Sequence, residues 1–269
     1  MSGEVFDFDK LAAAFDQFLP VLAPVTGGLA DRLPALAEGT SVLDIASGTG
    51  EPSLTLARRH PGIRVLGIDA AAPMVDIARR KAAAMDLADV DYQVMSSDAL
   101  ALPDAGVDVV VSRFGALSFA DPLAETREIL RVLRPGGSFS IATWDAGSKN
   151  ILTYAIGSAA GSFLPPAVVS AMQRLEQFAM PGRREAWLTK AGMSVVESEL
   201  FAWPVEFTNE AEMWDLAVGP AILGAILGEL SPESRLDVRR EFVALLADYQ
   251  RADGTYILPY ACRLIWGRR

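Results

Sequence analysis

The stretch VLDIASGTGEPS, Val42 to Ser53, constrains the fold more than any other part of the chain. An apolar run ends in a carboxylate, Asp44, gives way to the small residues Ala46, Ser47, Gly48, Thr49 and Gly50, and resumes beside Pro52. A short buried strand, a tight loop and a helix start account for that order, since glycine tolerates backbone angles that a Cβ forbids. A second apolar run, VLGID, ends in Asp69, about twenty residues past the loop, where a ribose-binding acid falls in nucleoside-binding βαβ units. Small residues let the backbone approach the ligand. The layout leaves dinucleotides and S-adenosylmethionine both open.

From Ser41 to Thr143 strands and helices alternate. Candidate strands are 41–46, 63–68, 91–95, 107–112 and 137–143, with helices at 51–59, 73–86 and 122–133. Continuously apolar strands such as VDVVVS (107–112) suit a parallel sheet covered on both faces. Leu133 to Gly137 reads as a helix stop and a tight turn. Beyond Thr143 the rhythm changes. Residues 148–180 are expected to be helical with a break at 163–166, and a helix at 183–191 should end at Gly192. A strand over 193–207, a helical block over 209–252 broken at Gly219-Pro220 and Ser231-Pro232, and a closing strand over 255–269 complete the chain. The last two strands are expected to pair antiparallel at one sheet edge. The N-terminal 1–37 is expected to add helices.

The length, 269 residues with 51% hydrophobic, suits one domain over 1–269. Its parts are a core (38–145), lid inserts (146–192 and 209–254) and closing strands (193–208 and 255–269). A net charge of −10 argues against a nucleic-acid surface, which needs clustered Lys and Arg. Cys262 is the only cysteine, so neither an intrachain disulfide nor a cysteine zinc cluster is expected. The start, MSGEVFDFDK, lacks a basic-then-apolar leader pattern, and apolar stretches fall short of a membrane span. The expected protein is cytoplasmic, works on a small molecule without nucleic acid or a membrane span, and is compatible with a homodimer.

The ordered series VLDIASGTGEPS, GIDAAAPM, SSDALALP, SRFGALSFADP and RVLRPGGSF resembles the motifs of class I S-adenosylmethionine-dependent methyltransferases, most nearly the ubiquinone and menaquinone biosynthesis branch. The resemblance is strong over Val42 to Trp144 and weak in the tail. It implies an α/β Rossmann-like, doubly wound, seven-stranded, mostly parallel sheet with an antiparallel C-terminal strand and helical lid insertions. It implies S-adenosylmethionine as cofactor, with Asp44 near its methionine amino end and with Ala46, Ser47, Gly48 and Gly50 in the cofactor-binding loop, whose glycines give the backbone access to it. Asp69 would accept the ribose hydroxyls, Met74 would pack on the adenine face, and Ala70 would be a further cofactor-binding residue. Asp98 and Ala99 would meet the adenine amino group, and Arg113 a carboxylate of cofactor or substrate. Ala46 departs from the glycine common at its position.

Each residue also has a plain structural reading. Asp44 and Asp69 could cap backbone N–H groups, Met74 could be core, Asp98 a turn residue, and Arg113 a partner of Asp121. His60, the only histidine, falls in a helix–strand loop on the far side, so a histidine base is not expected. Asp145, Glu206, Asp215, Tyr249 and Tyr256 remain as candidate bases, and Cys262 reads as core. The aromatics Phe15, Phe18, Phe163, Phe178, Trp203, Phe207 and Trp214 would together wall an apolar chamber. The implied reaction is methyl transfer to a small hydrophobic or aromatic metabolite. The alternative is a related enzyme that keeps S-adenosylmethionine but catalyses cyclisation or decarboxylation. A nicotinamide oxidoreductase would call for a Tyr-x-x-x-Lys relay, which this chain lacks, and a cofactor-sensing module would need no chamber.

Overall fold

Seven strands form one sheet in the order β3-β2-β1-β4-β5-β7-β6. The computed structural model describes residues 8–119, 121–219 and 226–269. The start of the N-terminal decoration and the Pro220 break lie outside the described residues. The strands are β1 (Ser41–Ile45), β2 (Arg64–Asp69), β3 (Val90–Val94), β4 (Val107–Arg113), β5 (Leu133–Trp144), β6 (Val195–Phe207) and β7 (Tyr256–Arg268). The first five are parallel, and β7 runs antiparallel between β5 and β6. Strand order reverses between β1 and β4, so their carboxyl ends flank the crevice where open α/β sheets bind ligands.

The helices are α1 (Phe8–Phe15), α2 (Leu19–Ala30), α3 (Ser53–Arg59), α4 (Ala72–Ala84), α5 (Pro122–Val132), α6 (Ile151–Ala159), α7 (Pro166–Phe178), α8 (Arg183–Ala191), α9 (Glu210–Val218) and α10 (Pro232–Leu245). They cover both faces, as the apolar strands require. Val25 and Leu29 of α2, Ala155 and Ile156 of α6 and Phe242 of α10 pack with Trp203, Tyr260 and Leu264 in one cluster. Ile129 of α5 and Leu188 of α8 pack with Ile45, Phe139 and Ile141 in another. Asp121 starts α5 by accepting from the backbone N–H groups of Leu123 (2.9 Å) and Ala124 (3.2 Å), the usual task of an N-cap aspartate.

Two expectations need correction. The N-terminal helices stop at Ala30, and Leu33 and Leu36 pack beside Val42 and Val109 in a non-helical stretch. Strand β5 begins at Leu133, inside the expected turn. Val107 pairs with Leu133 and Val109 with Ser138, so extra β5 residues form a bulge, with Gly136 at φ +76°. Bulges absorb such insertions without ending a ladder.

Candidate active site

Asp44 lies in β1 with its side chain wholly buried. Its Oδ2 accepts from the backbone N–H of Ser53 (3.1 Å) and from the Ser53 hydroxyl, tying the strand to the first turn of α3. Between them the chain curls through left-handed angles at Ala46 (φ +55°), Gly48 (+53°) and Gly50 (+112°). Alanine in that region costs about 1–2 kcal/mol, so the one irregular loop residue carries strain. The backbone N–H of Gly48 donates to Asp69 Oδ2 (2.9 Å), and that of Ala71 to Asp69 Oδ1 (2.9 Å). Asp69 thus braces the loop from the end of β2, and burial pushes its carboxyl up despite these bonds.

Four buried side-chain oxygens in and beside this loop have no hydrogen-bond partner among the described residues: Asp44 Oδ1, Ser47 Oγ, Thr49 Oγ1 and Glu51 Oε2. Arg113, at the end of β4, is 8% exposed, and its Nη1 donates to Thr26 Oγ1 (3.0 Å). It does not pair with Asp121, which caps α5. Burial pushes Asp44 up to about 7 against the Ser53 bonds and the Arg113 charge. Burial lowers Arg113, opposed by the charges of Glu51 and Asp44. Unpaired buried polar atoms are costly. A cluster containing acids, hydroxyls and a guanidinium suits a ligand that carries both an ammonium and a carboxylate.

The remaining predicted residues are spread along the same edge. Asp98, after β3, accepts from the Ser96 hydroxyl (2.5 Å), and Ala70 and Ala99 are exposed. Met74 is buried against Ala12 and Ala71, with Phe15 packed on the cluster. Sequence reasoning missed Glu125. This wholly buried α5 carboxylate accepts from the Leu117 N–H. Burial pushes it up to about 7, against bonds from Ser97 and Leu117. Only the loops after β3 and β4 explain it, and no local pattern marks it. The Arg131 guanidinium, also missed, donates to the carbonyls of Leu100 and Leu102 and to Glu128, clamping the segment after Asp98.

On the other side of the crevice Phe114 stacks on Trp144, with ring centroids 3.9 Å apart. Phe18 and Tyr260 lie 6.4 Å and 6.5 Å from Trp144, and Trp203 stacks on Tyr260. This aromatic group differs from the expected one. Phe163 is exposed, and Phe178 of α7 pairs with Trp187 of α8. Arg184, 3% exposed, begins α8 and donates to the carbonyls of Leu117 and Trp144 (3.3 Å each). Asp145 is a poor base: burial raises its carboxyl, but bonds from Lys149 and Ala146 and the charges of Lys149 and Arg263 hold it below the usual range. Glu206 faces Arg251 at 3.6 Å, and Tyr256 donates to Glu210 at 3.3 Å. His60 follows α3 at the opposite edge, and Cys262 is core.

Residues 42–137 match the family described as Methyltransferase domain. The demethylmenaquinone methyltransferase of Thermus thermophilus is 36% identical over 173 residues, 57% of this chain and 74% of that protein. The chain belongs to the class I S-adenosylmethionine-dependent methyltransferases. The ubiquinone/menaquinone biosynthesis C-methyltransferase of Geobacter sulfurreducens is 36% identical over 102 residues, 37% of this chain and 40% of that protein. Together these relatives place the methyltransferase in that branch, with S-adenosylmethionine as its cofactor. In fold it is similar to Haemonchus contortus phosphoethanolamine N-methyltransferase 2, with TM-score 0.61 at 16% identity, over 96% of this chain and 57% of that one. The residues present fit the cofactor, because its amino-acid end has the charges that the unpaired oxygens and Arg113 lack. Among the described residues no helix is long and apolar enough to cross a membrane.

Proposed function

We propose that this methyltransferase methylates a small, flat, apolar acceptor of the hydroxylated aromatic class. The observation that carries this is the Phe114–Trp144 stack beside the cofactor loop. A Cβ at Gly115, the residue after Phe114, would lie 2.1 Å from Ala46 Cβ, so the chain directly after Phe114 abuts the loop. The names of the Thermus and Geobacter relatives, both concerned with quinone methylation, support the same acceptor class.

S-Adenosylmethionine supplies an electrophilic methyl on a cationic sulfur. The chain's own task is to bind, orient and exclude water, and orientation alone can contribute about 7–11 kcal/mol to such a displacement. Asp44 and Arg113 would hold the ammonium and carboxylate of the cofactor, with Ser47 and Thr49 completing the set. The loop backbone from Ala46 to Gly50 lets the ligand approach. Asp69, with lone pairs beyond those given to Gly48 and Ala71, would accept the ribose hydroxyls beside Ala70. Asp98 and Ala99 would meet the adenine amino group, and Met74 would support the ring from under α1. The helices over 146–192 and 209–254 would form the lid over the acceptor. In this reading the enzyme works in the cytoplasm on a small molecule, without nucleic acid.

The test is incubation with methyl-labelled S-adenosylmethionine and reduced naphthoquinols or simple phenols, read by mass spectrometry. The expected product is a singly methylated aromatic with an equal yield of S-adenosylhomocysteine. Tight adenosyl binding without methylation of any aromatic acceptor would overturn the acceptor class. A product formed without S-adenosylhomocysteine would favour cyclisation or decarboxylation.

A further inference from the structure

Phe18, Trp144 and Tyr260 come from three distant parts of the chain and meet with nearly equal spacing. Their ring centroids are 6.4 Å (Phe18–Trp144), 6.4 Å (Phe18–Tyr260) and 6.5 Å (Trp144–Tyr260) apart. The planes are inclined by 49°, 60° and 51°, the tilted and edge-on geometry of aromatic rings packed against one another. Phe18 and Trp144 are half-buried, and Tyr260 is wholly buried. Trp144 stacks on Phe114, and the next residue, Gly115, abuts Ala46 of the cofactor loop.

The polar atoms behind the rings are treated unequally. Trp203 stacks on Tyr260 at 5.8 Å, and its indole N–H donates to the Val21 carbonyl at 2.8 Å. The Tyr260 hydroxyl is buried without a hydrogen-bond partner among the described residues. A buried hydroxyl left unpaired is destabilising, and phenylalanine would fill the same space without that cost. Burial pushes the Tyr260 phenol up, which keeps it a proton donor near neutrality.

We propose that Tyr260 is a specificity-determining residue whose hydroxyl donates a hydrogen bond to the oxygen of an aromatic alcohol seated against Phe18 and Trp144. The inference rests on the acceptor class proposed above. Donation to that oxygen selects oxygenated rings over plain hydrocarbons, because a hydrocarbon leaves the hydroxyl unpaired.

The experiment is calorimetric titration of the full chain, saturated with S-adenosylhomocysteine, with 1-naphthol and with naphthalene. Wild type is expected to prefer 1-naphthol. Tyr260→Phe is expected to lose about tenfold in 1-naphthol affinity, the scale of one hydrogen bond, with naphthalene affinity unchanged and a melting temperature no lower than wild type. Trp144→Leu is expected to weaken both ligands. No preference for 1-naphthol in wild type, an unchanged 1-naphthol affinity in Tyr260→Phe, or an equal loss for both ligands would overturn the assignment. Methyl transfer is measured separately. Selective binding without transfer would sink the acceptor class as substrate while leaving the Tyr260 hydrogen bond standing.

Discussion

The Cβ of Ala46 occupies the space that a side chain at Gly115 would need: a Cβ at Gly115 would lie 2.1 Å from it, and the next nearest atom is 3.4 Å away. The two residues sit on the loops after β1 and β4, the two sides of the crevice. Gly115→Ala is expected to destabilise the fold by about 1–3 kcal/mol through overpacking. Ala46→Gly removes the obstructing methyl and the left-handed alanine together, so the double variant should recover most of the loss. Urea unfolding of the four proteins gives the coupling energy. Purely additive effects would show that this contact is not the limiting one.

Asp44 and Glu125 make stability depend on pH in an unusual direction. Their ordinary values are 3.8 and 4.5, and both are pushed up to about 7 by burial. The folded state therefore binds more protons than the unfolded chain between those values, and stability is expected to fall as pH rises from about 4 to about 7, then level off. Glu125→Gln, which keeps an acceptor for the Leu117 N–H, should flatten part of that slope. Thermal melts from pH 4 to 8 test this; an unchanged slope in the variant would exclude Glu125 as a source.

Binding of a cationic ammonium beside Asp44 should ionise the carboxyl, so adenosyl ligands are expected to release protons near pH 6.5. Calorimetry in buffers of different ionisation enthalpy would register that release. Proton-neutral binding would place the ammonium elsewhere.

The loop-bracing bonds of Asp69 and its proposed ribose role separate by substitution. Asp69→Asn keeps one carbonyl acceptor for the loop and loses the charge. A decrease in S-adenosylhomocysteine affinity of about 1–3 kcal/mol is expected, the range for a hydrogen bond to a charged group. Asp69→Ala should lose at least as much affinity and also lower the melting temperature, because the N–H groups of Gly48 and Ala71 lose their acceptor. Wild-type affinity in the asparagine variant would rule out the ribose role.

Arg184 joins α8 to the loops at the crevice. Arg184→Met keeps the apolar stem and leaves the carbonyls of Leu117 and Trp144 without their donor. A loss of about 1–3 kcal/mol in stability is expected, with faster proteolysis within 161–191. Unaltered protease resistance would mean that α8 is held by its apolar contacts, Leu188 above all.

Much of the core could be read along the chain because its signals are local. The run from Val42 to Ser53 carries its own strand, loop and helix start, and VDVVVS announces a strand covered on both sides. The Leu133–Gly137 stretch misleads, since its glycines serve a bulge that exists only once β4 lies alongside. Glu125, Arg131 and Arg184 do not stand out in the sequence, because the groups that make them matter, the Leu117 N–H and the carbonyls of Leu100, Leu102 and Trp144 among them, lie on distant loops.

The methyl donor follows from residues close together in sequence. A left-handed loop, an acid at each strand end and the spacing between them are set by backbone sterics, which each residue brings with it. The aromatic wall arises differently. Phe18, Phe114, Trp144 and Tyr260 converge because β7 runs antiparallel beside β5, pairing Trp144 with Cys262. That register turns on which side chains fit the sheet face, a long-range packing outcome that no short stretch of sequence encodes.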